Sequence, residues 1–135
     1  ALMMLVAASV TARQLSGNAM NCPDSPNCVS SQALDARHFI EPLSFHGQPA
    51  EAMQRLKAAV MREKRVSIVR EQADYLHAEV RSLLFGFVDD IEFSLQPDKA
   101  LIQVRSAART GYSDFGVNRR RVERIRTIFK GQEGP

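Results

Sequence analysis

The chain has 135 residues, 44% apolar and 24% charged, with 18 Lys and Arg against 15 Asp and Glu for a formal charge of +3. That length suits one domain, which buries roughly two thirds of the surface its unfolded chain exposes and so needs no metal to fold. The small positive balance permits contact with anions or an acidic membrane surface but does not call for nucleic acid.

Residues 2–10, LMMLVAASV, are uncharged and, apart from Ser9, apolar. The run is too short for a bilayer span, which takes about 20 apolar residues. With small residues near its end, it fits the apolar core of a secretory signal or part of an anchor, so 1–12 is read as a partial targeting segment. The alternative is a first helix packed on the domain, although residues 2–6 offer no polar face.

Two cysteines, Cys22 and Cys28, sit in NCPDSPNC. Pro, Asp, Ser and Asn between them make a turn-rich loop, able to bring two Cα atoms to the ~5.5 Å a bridge requires. An even count beside an export signal favours a disulfide. The rival, a metal or redox pair, lacks a CxxC spacing and further ligands, so neither metal nor cofactor is expected.

Residues 13–47 show no sustained period and read as an irregular arm, lying on the domain through Phe39, Ile40, Leu43 and Phe45. A core domain is expected over 48–131. Pro49 suits the first helical position and Glu51 the N-terminal dipole. Met53, Leu56 and Val60 then recur at helical spacing, to an end near Glu63. Four strand-like runs follow: RVSIVR, Tyr75 to Ser82, Val88 to Leu95 and Ala100 to Ala107. A polar loop from Arg109 to Gly116 precedes a helix from Val117 to Phe129, with Val122, Ile125 and Phe129 on one side. Short connections and strict alternation predict an α+β two-layer sandwich: a four-stranded antiparallel sheet with two helices on one face. The same alternation sends Tyr75, His77, Glu79, Arg81, Asp90, Glu92, Gln103 and Arg105 to the opposite face. That face is a solvated ion-pair ladder or a docking surface.

Four stretches, NCPDSPNCVSSQA, YLHAEVRS, FGFVDDIEF and VRSAARTGYSDFGVNRRRVERIR, together resemble domain-of-unknown-function family 1499, over about Asn21 to Phe129. Ala108 departs from the small hydroxyl residue expected there. The resemblance implies an exported bacterial or plastid protein, hence a periplasmic domain, free or membrane-anchored, or one in a thylakoid lumen. It implies no activity.

From Arg105 to Arg126 there are seven Arg and two acids, Asp114 and Glu123. Ser113 and Asp114 are placed to cap the last helix. Asn118 falls on its buried side, where an amide must find partners, and one reading has it fasten the 109–116 loop. The functional reading gathers Arg105, Ser106, Arg109, Ser113, Asp114, Asn118 and Arg119 around an anion at the helix N-terminus: a carboxylate, phosphate or sulfated glycan. Asp89 and Asp90 point to opposite faces and form a structural latch, with Arg109 the expected partner of Asp89. Arg120, Glu123 and Arg124 read as a solvated helix face. No phosphate-cradling loop, nucleophile elbow or HExxH is present. The expectation is therefore an envelope or lumen module that holds a partner protein or small anion and does not bind nucleic acid. A small-substrate enzyme using Asp89 and Asp114 with Arg105 and Arg109 is the alternative.

Overall fold

The computed structural model describes residues 20–132, so the apolar segment 1–12 lies outside the described residues. The elements are β1 (Cys28–Ser30), β2 (Leu43–Ser44), α1 (Pro49–Val60), β3 (Val66–Gln72), β4 (Tyr75–Arg81), β5 (Val88–Gln96), β6 (Leu101–Ala108) and α2 (Val117–Gly131). The strands pair antiparallel in the order β1-β6-β5-β4-β3, and β2 also joins β6.

Each long element follows from its pattern. Pro49 opens α1 with Glu51 in its first turn, and the helix buries Ala52, Met53, Leu56, Ala59 and Val60. In β4 the burial alternates, Leu76, Ala78 and Val80 inward. Ile91 and Phe93 of β5 and Ile102 and Val104 of β6 extend that inner face. Val122, Ile125 and Phe129 of α2 close the same core, which leaves the far side of the sheet to polar side chains. β3 forms an outer edge, where Arg70, Glu71 and an irregularity between Ile68 and Arg70 discourage further strand addition.

The sheet has six strands where four were expected. The extra two come from the arm: β1 pairs with Arg105–Ala107 and β2 with Leu101–Ile102, so the arm closes the free edge of β6. Strands of two and three residues are too short to carry an alternation. The arm also buries Val29, Ile40, Leu43 and Phe45. Its Ser31 hydroxyl donates to Gln103 Oε1 at 2.7 Å, which leaves Gln103 only 9% exposed and removes it from the open polar face where it was expected.

Cys22 and Cys28 are bridged, with Cα atoms 5.7 Å apart. The bridged loop is also held from outside. Asn27 Nδ2 donates to the Gly111 carbonyl at 2.7 Å, and the Ala108 amide to the Asn27 carbonyl at 2.9 Å. His38 contacts the Ser25 carbonyl at 2.8 Å and Asp35 at 2.7 Å. Closure of so short a loop removes modest chain entropy, so the double variant Cys22→Ser/Cys28→Ser is expected to lose about 2 kcal/mol in urea denaturation. A loss of only a few tenths would assign the loop's order to Asn27 and His38 instead.

Candidate functional site

The outer sheet face is a paired network. Tyr75 donates to Glu92 at 2.5 Å, and Arg105 lies between Glu92 (3.4 Å) and the Asn21 carbonyl (2.9 Å). His77 Nε2 meets Asp90 at 2.8 Å. Arg109 grips Asp90 through Nε at 3.0 Å and Nη2 at 2.7 Å, and the same Nη2 reaches Glu79 at 2.7 Å. Burial raises the Asp90 pKa, but hydrogen bonds from Arg109 and His77 outweigh it and hold the carboxyl below its ordinary value. Tyr75 is pushed well up by burial and by the adjacent Glu92 carboxylate. Each charge on this face thus answers another.

The inner side carries a second network, centred on Arg121. Asn118 is fully buried; its Oδ1 accepts from Ser106 at 2.6 Å and from Arg121 at 2.8 Å. Its Nδ2 donates to Asp114 at 2.9 Å. The Arg121 guanidinium pairs with Asp89 at 2.8 Å. Asp89 therefore answers Arg121, not Arg109, whose side chain lies on the opposite face with Asp90 and Glu79. The reason is register: Asp89 points inward beside Ile91, toward α2. Arg121 sits three residues after Asn118, on the same buried stripe of the helix. That i, i+3 spacing was the available signal, masked by the run Arg119-Arg120-Arg121.

The proposed anion set does not converge. Arg105 and Arg109 belong to the outer face, Ser106 and Asn118 to the interior. Ser113 is exposed and accepts from the Phe115 amide at 3.3 Å, while Arg119 reaches the Arg37 carbonyl at 3.0 Å. The helix N-terminus already holds a carboxylate. Asp114 accepts the amides of Gly116 (2.9 Å) and Asn118 (3.0 Å). Burial raises its pKa, but these bonds and the one from the Asn118 side chain bring it below the usual value. Gly116, at φ +79°, gives the chain its turn into the helix. Arg124 pairs with Glu63 at 2.7 Å, and Arg120 donates to the Phe115 carbonyl at 2.8 Å, so neither simply projects into water.

A cavity of about 650 Å³ opens where the loop after α1, the β4–β5 loop and the start of α2 meet. Its wall carries six cations, Arg62, Lys64, Arg65, Arg81, Arg121 and Arg124, against two carboxylates, Glu63 and Asp89. Both carboxylates are already spent, Glu63 on Arg124 and Asp89 on Arg121. Among the described residues no carboxylate pairs with Arg62, Lys64 or Arg65. The buried Arg121 Nε has no hydrogen-bond acceptor, with Glu63 Oε1 3.8 Å away. Among the described residues there is no cluster of His, Cys, Asp and Glu able to hold a metal, and no helix long and apolar enough to cross a membrane.

Fold and site together define a small, disulfide-bonded α+β domain with a self-neutralised sheet face and a cationic cavity at one end. A family model for a protein of unknown function, DUF1499, matches residues 18–129, and the chain belongs to that family. Among curated proteins no match is found.

Two outcomes are expected. Arg121→Ala leaves the half-buried Asp89 without its cation and should cost about 3 kcal/mol in urea denaturation, the low end for a buried pair. Asp89→Leu/Arg121→Met should recover much of that loss; a double variant as unstable as the single one would overturn the pairing. For acid sensitivity, the folded pKa values of Asp90 and Asp114 lie below the unfolded ones. Their contribution is therefore complete above the unfolded aspartate value of ~3.9 and is lost as pH falls through the folded values. Asp90→Asn/Asp114→Asn should flatten the fall of the urea midpoint between about pH 5 and pH 2.

Proposed function

We propose that the domain is a binding module of the cell envelope, or of a plastid lumen, that holds an anionic ligand in the cavity between the α1–β3 loop, the β4–β5 loop and α2. The observation that carries this reading is the uncompensated charge of the cavity wall. Of the six cations, Arg121 and Arg124 are met by the wall's own two carboxylates and Arg81 lies 3.7 Å from Glu79, but Arg62, Lys64 and Arg65 have no carboxylate, and a buried guanidinium N–H lacks an acceptor. An anion with several acceptor oxygens would accept from Arg62, Lys64 and Arg65 and relieve their mutual repulsion. The outer face, by contrast, has little charge left to offer. The disulfide and the apolar segment near residue 1 support an oxidising, exported location.

Inorganic phosphate and glycerol phosphate are suitable probes. Each is expected to raise the melting temperature at low salt, by the linkage of binding to folding, with about 2.7 kcal/mol of stabilisation at a hundred times Kd. Arg62→Glu/Lys64→Glu should abolish the effect, whereas Arg109→Gln should leave it intact. Equal stabilisation of the Arg62/Lys64 variant and the parent would sink the reading.

A further inference from the structure

The cavity does not open onto a polar surface. Ten large hydrophobic side chains stand exposed among the described residues, and seven of them lie in loops 82–87 and 109–116 or at Val117, the first residue of α2, at the cavity end of the sheet. β4 ends and β5 begins at this end, β6 ends here, and α2 starts here. The two loops are adjacent, since the Arg109 amide donates to the Val88 carbonyl at 2.9 Å. Leu84 and Phe115 are 81% and 86% exposed, and Phe115 holds a left-handed backbone (φ +54°) for a ring with no packing to repay it. Leu83 and Val117 line the cavity mouth itself, so the apolar surface and the cationic wall are continuous.

The β4–β5 loop is built to leave water. Its ends are tied by the Ser82 amide to the Phe87 carbonyl at 2.8 Å and by the Phe87 amide to Ser82 Oγ at 3.0 Å. The turn between them presents Leu83, Leu84 and Phe85, then Phe87, whose ring centroid is 5.5 Å from that of Phe85. The turn itself carries no acid, and the carboxylates that flank it in sequence, Glu79, Asp89 and Asp90, are paired with Arg109, Arg121 and Arg109. Apolar side chains on a closed loop tip, with a cationic wall beside its base, match the boundary layer of an anionic bilayer. There side chains reach acyl chains while Arg and Lys stay among phosphates. A protein partner would have to offer both a concave apolar socket and a surrounding acidic rim.

We propose that this end of the domain docks on an anionic phospholipid surface, the 82–87 loop entering the boundary layer and the cationic cavity receiving a phosphate headgroup. The proposal rests on the anion-binding reading of the cavity and names the source of its anion.

The chain contains no Trp, so a single introduced Trp reports on one place, whatever the apolar segment near residue 1 does. Full-chain Phe85→Trp is mixed with vesicles of phosphatidylcholine, with and without phosphatidylglycerol. Val69→Trp, on exposed β3, serves as the control. The expected result is a blue shift and brightening of the Phe85→Trp emission only with phosphatidylglycerol, and no change for Val69→Trp. Adding Arg62→Gln/Lys64→Gln should weaken the response about thirty-fold, at roughly 1 kcal/mol per cation. Stabilisation by glycerol phosphate, measured in Leu84→Ser/Phe85→Ser, should match the parent. If glycerol phosphate stabilises the protein but the Phe85→Trp emission does not move, docking is overturned and the cavity reading survives. If neither responds, both fall. An equal shift on pure phosphatidylcholine overturns the role of charge. Self-association in lipid-free buffer that Leu84→Ser/Phe85→Ser abolishes, with no vesicle response, makes the loop a protein contact and overturns the proposal.

Discussion

A guanidinium taken out of water needs partners, and this domain is arranged around Arg121, which finds them at Nη1 while its Nε is left without an acceptor. Its charge meets Asp89 from β5, and its second contact is the Asn118 amide oxygen from its own helix. Asn118 in turn gathers Ser106 from β6 and Asp114 from the loop before α2. Desolvation of such a group costs several kcal/mol, and only this set of partners offsets it. The consequence is geometric. The start of β5, the end of β6 and the first turn of α2 hold one relative position, and that position shapes the cavity.

The two polar systems of the molecule differ in kind. On the outer face, Arg109 and Arg105 stand against Glu79, Asp90 and Glu92, with His77 and Tyr75 filling the remaining sites. Acids equal or outnumber cations there, and the network closes on itself. At the cavity the balance runs the other way. Arg62, Lys64 and Arg65 come from a turn whose one acid, Glu63, is drawn inward to Arg124. Three cations are thereby left crowded at a rim without their natural neighbour.

The disulfide and the arm serve the same end of the sheet. Asn27, within the bridged loop, reaches the Gly111 carbonyl and accepts from the Ala108 amide. The segment that carries Tyr112 and Phe115 is thus anchored at its root while its tip stays exposed. Asp114 anchors it again through the Asn118 and Gly116 amides. Family membership supplies no activity to set against this picture, so the chemistry of the surface carries the functional reading alone.

Both helices, the four long strands and the inward sorting of their apolar side chains were legible in the sequence, whereas Gln103, expected outward, is covered by the arm. A period of two or of 3.6 is a local property, and burial acts on it residue by residue. Asn118 could be placed for that reason, and so could Arg121, had the three consecutive arginines not resembled a solvated run. Which acid meets which arginine was not legible: Asp89 and Asp90 are neighbours in the chain but belong to different sides of the sheet, and several cations compete for each. The short arm strands were hidden because two or three residues hold no period. The cavity was hidden because its wall is drawn from segments around residues 62, 82 and 120, whose charges have no relation until the packed core brings them to one rim.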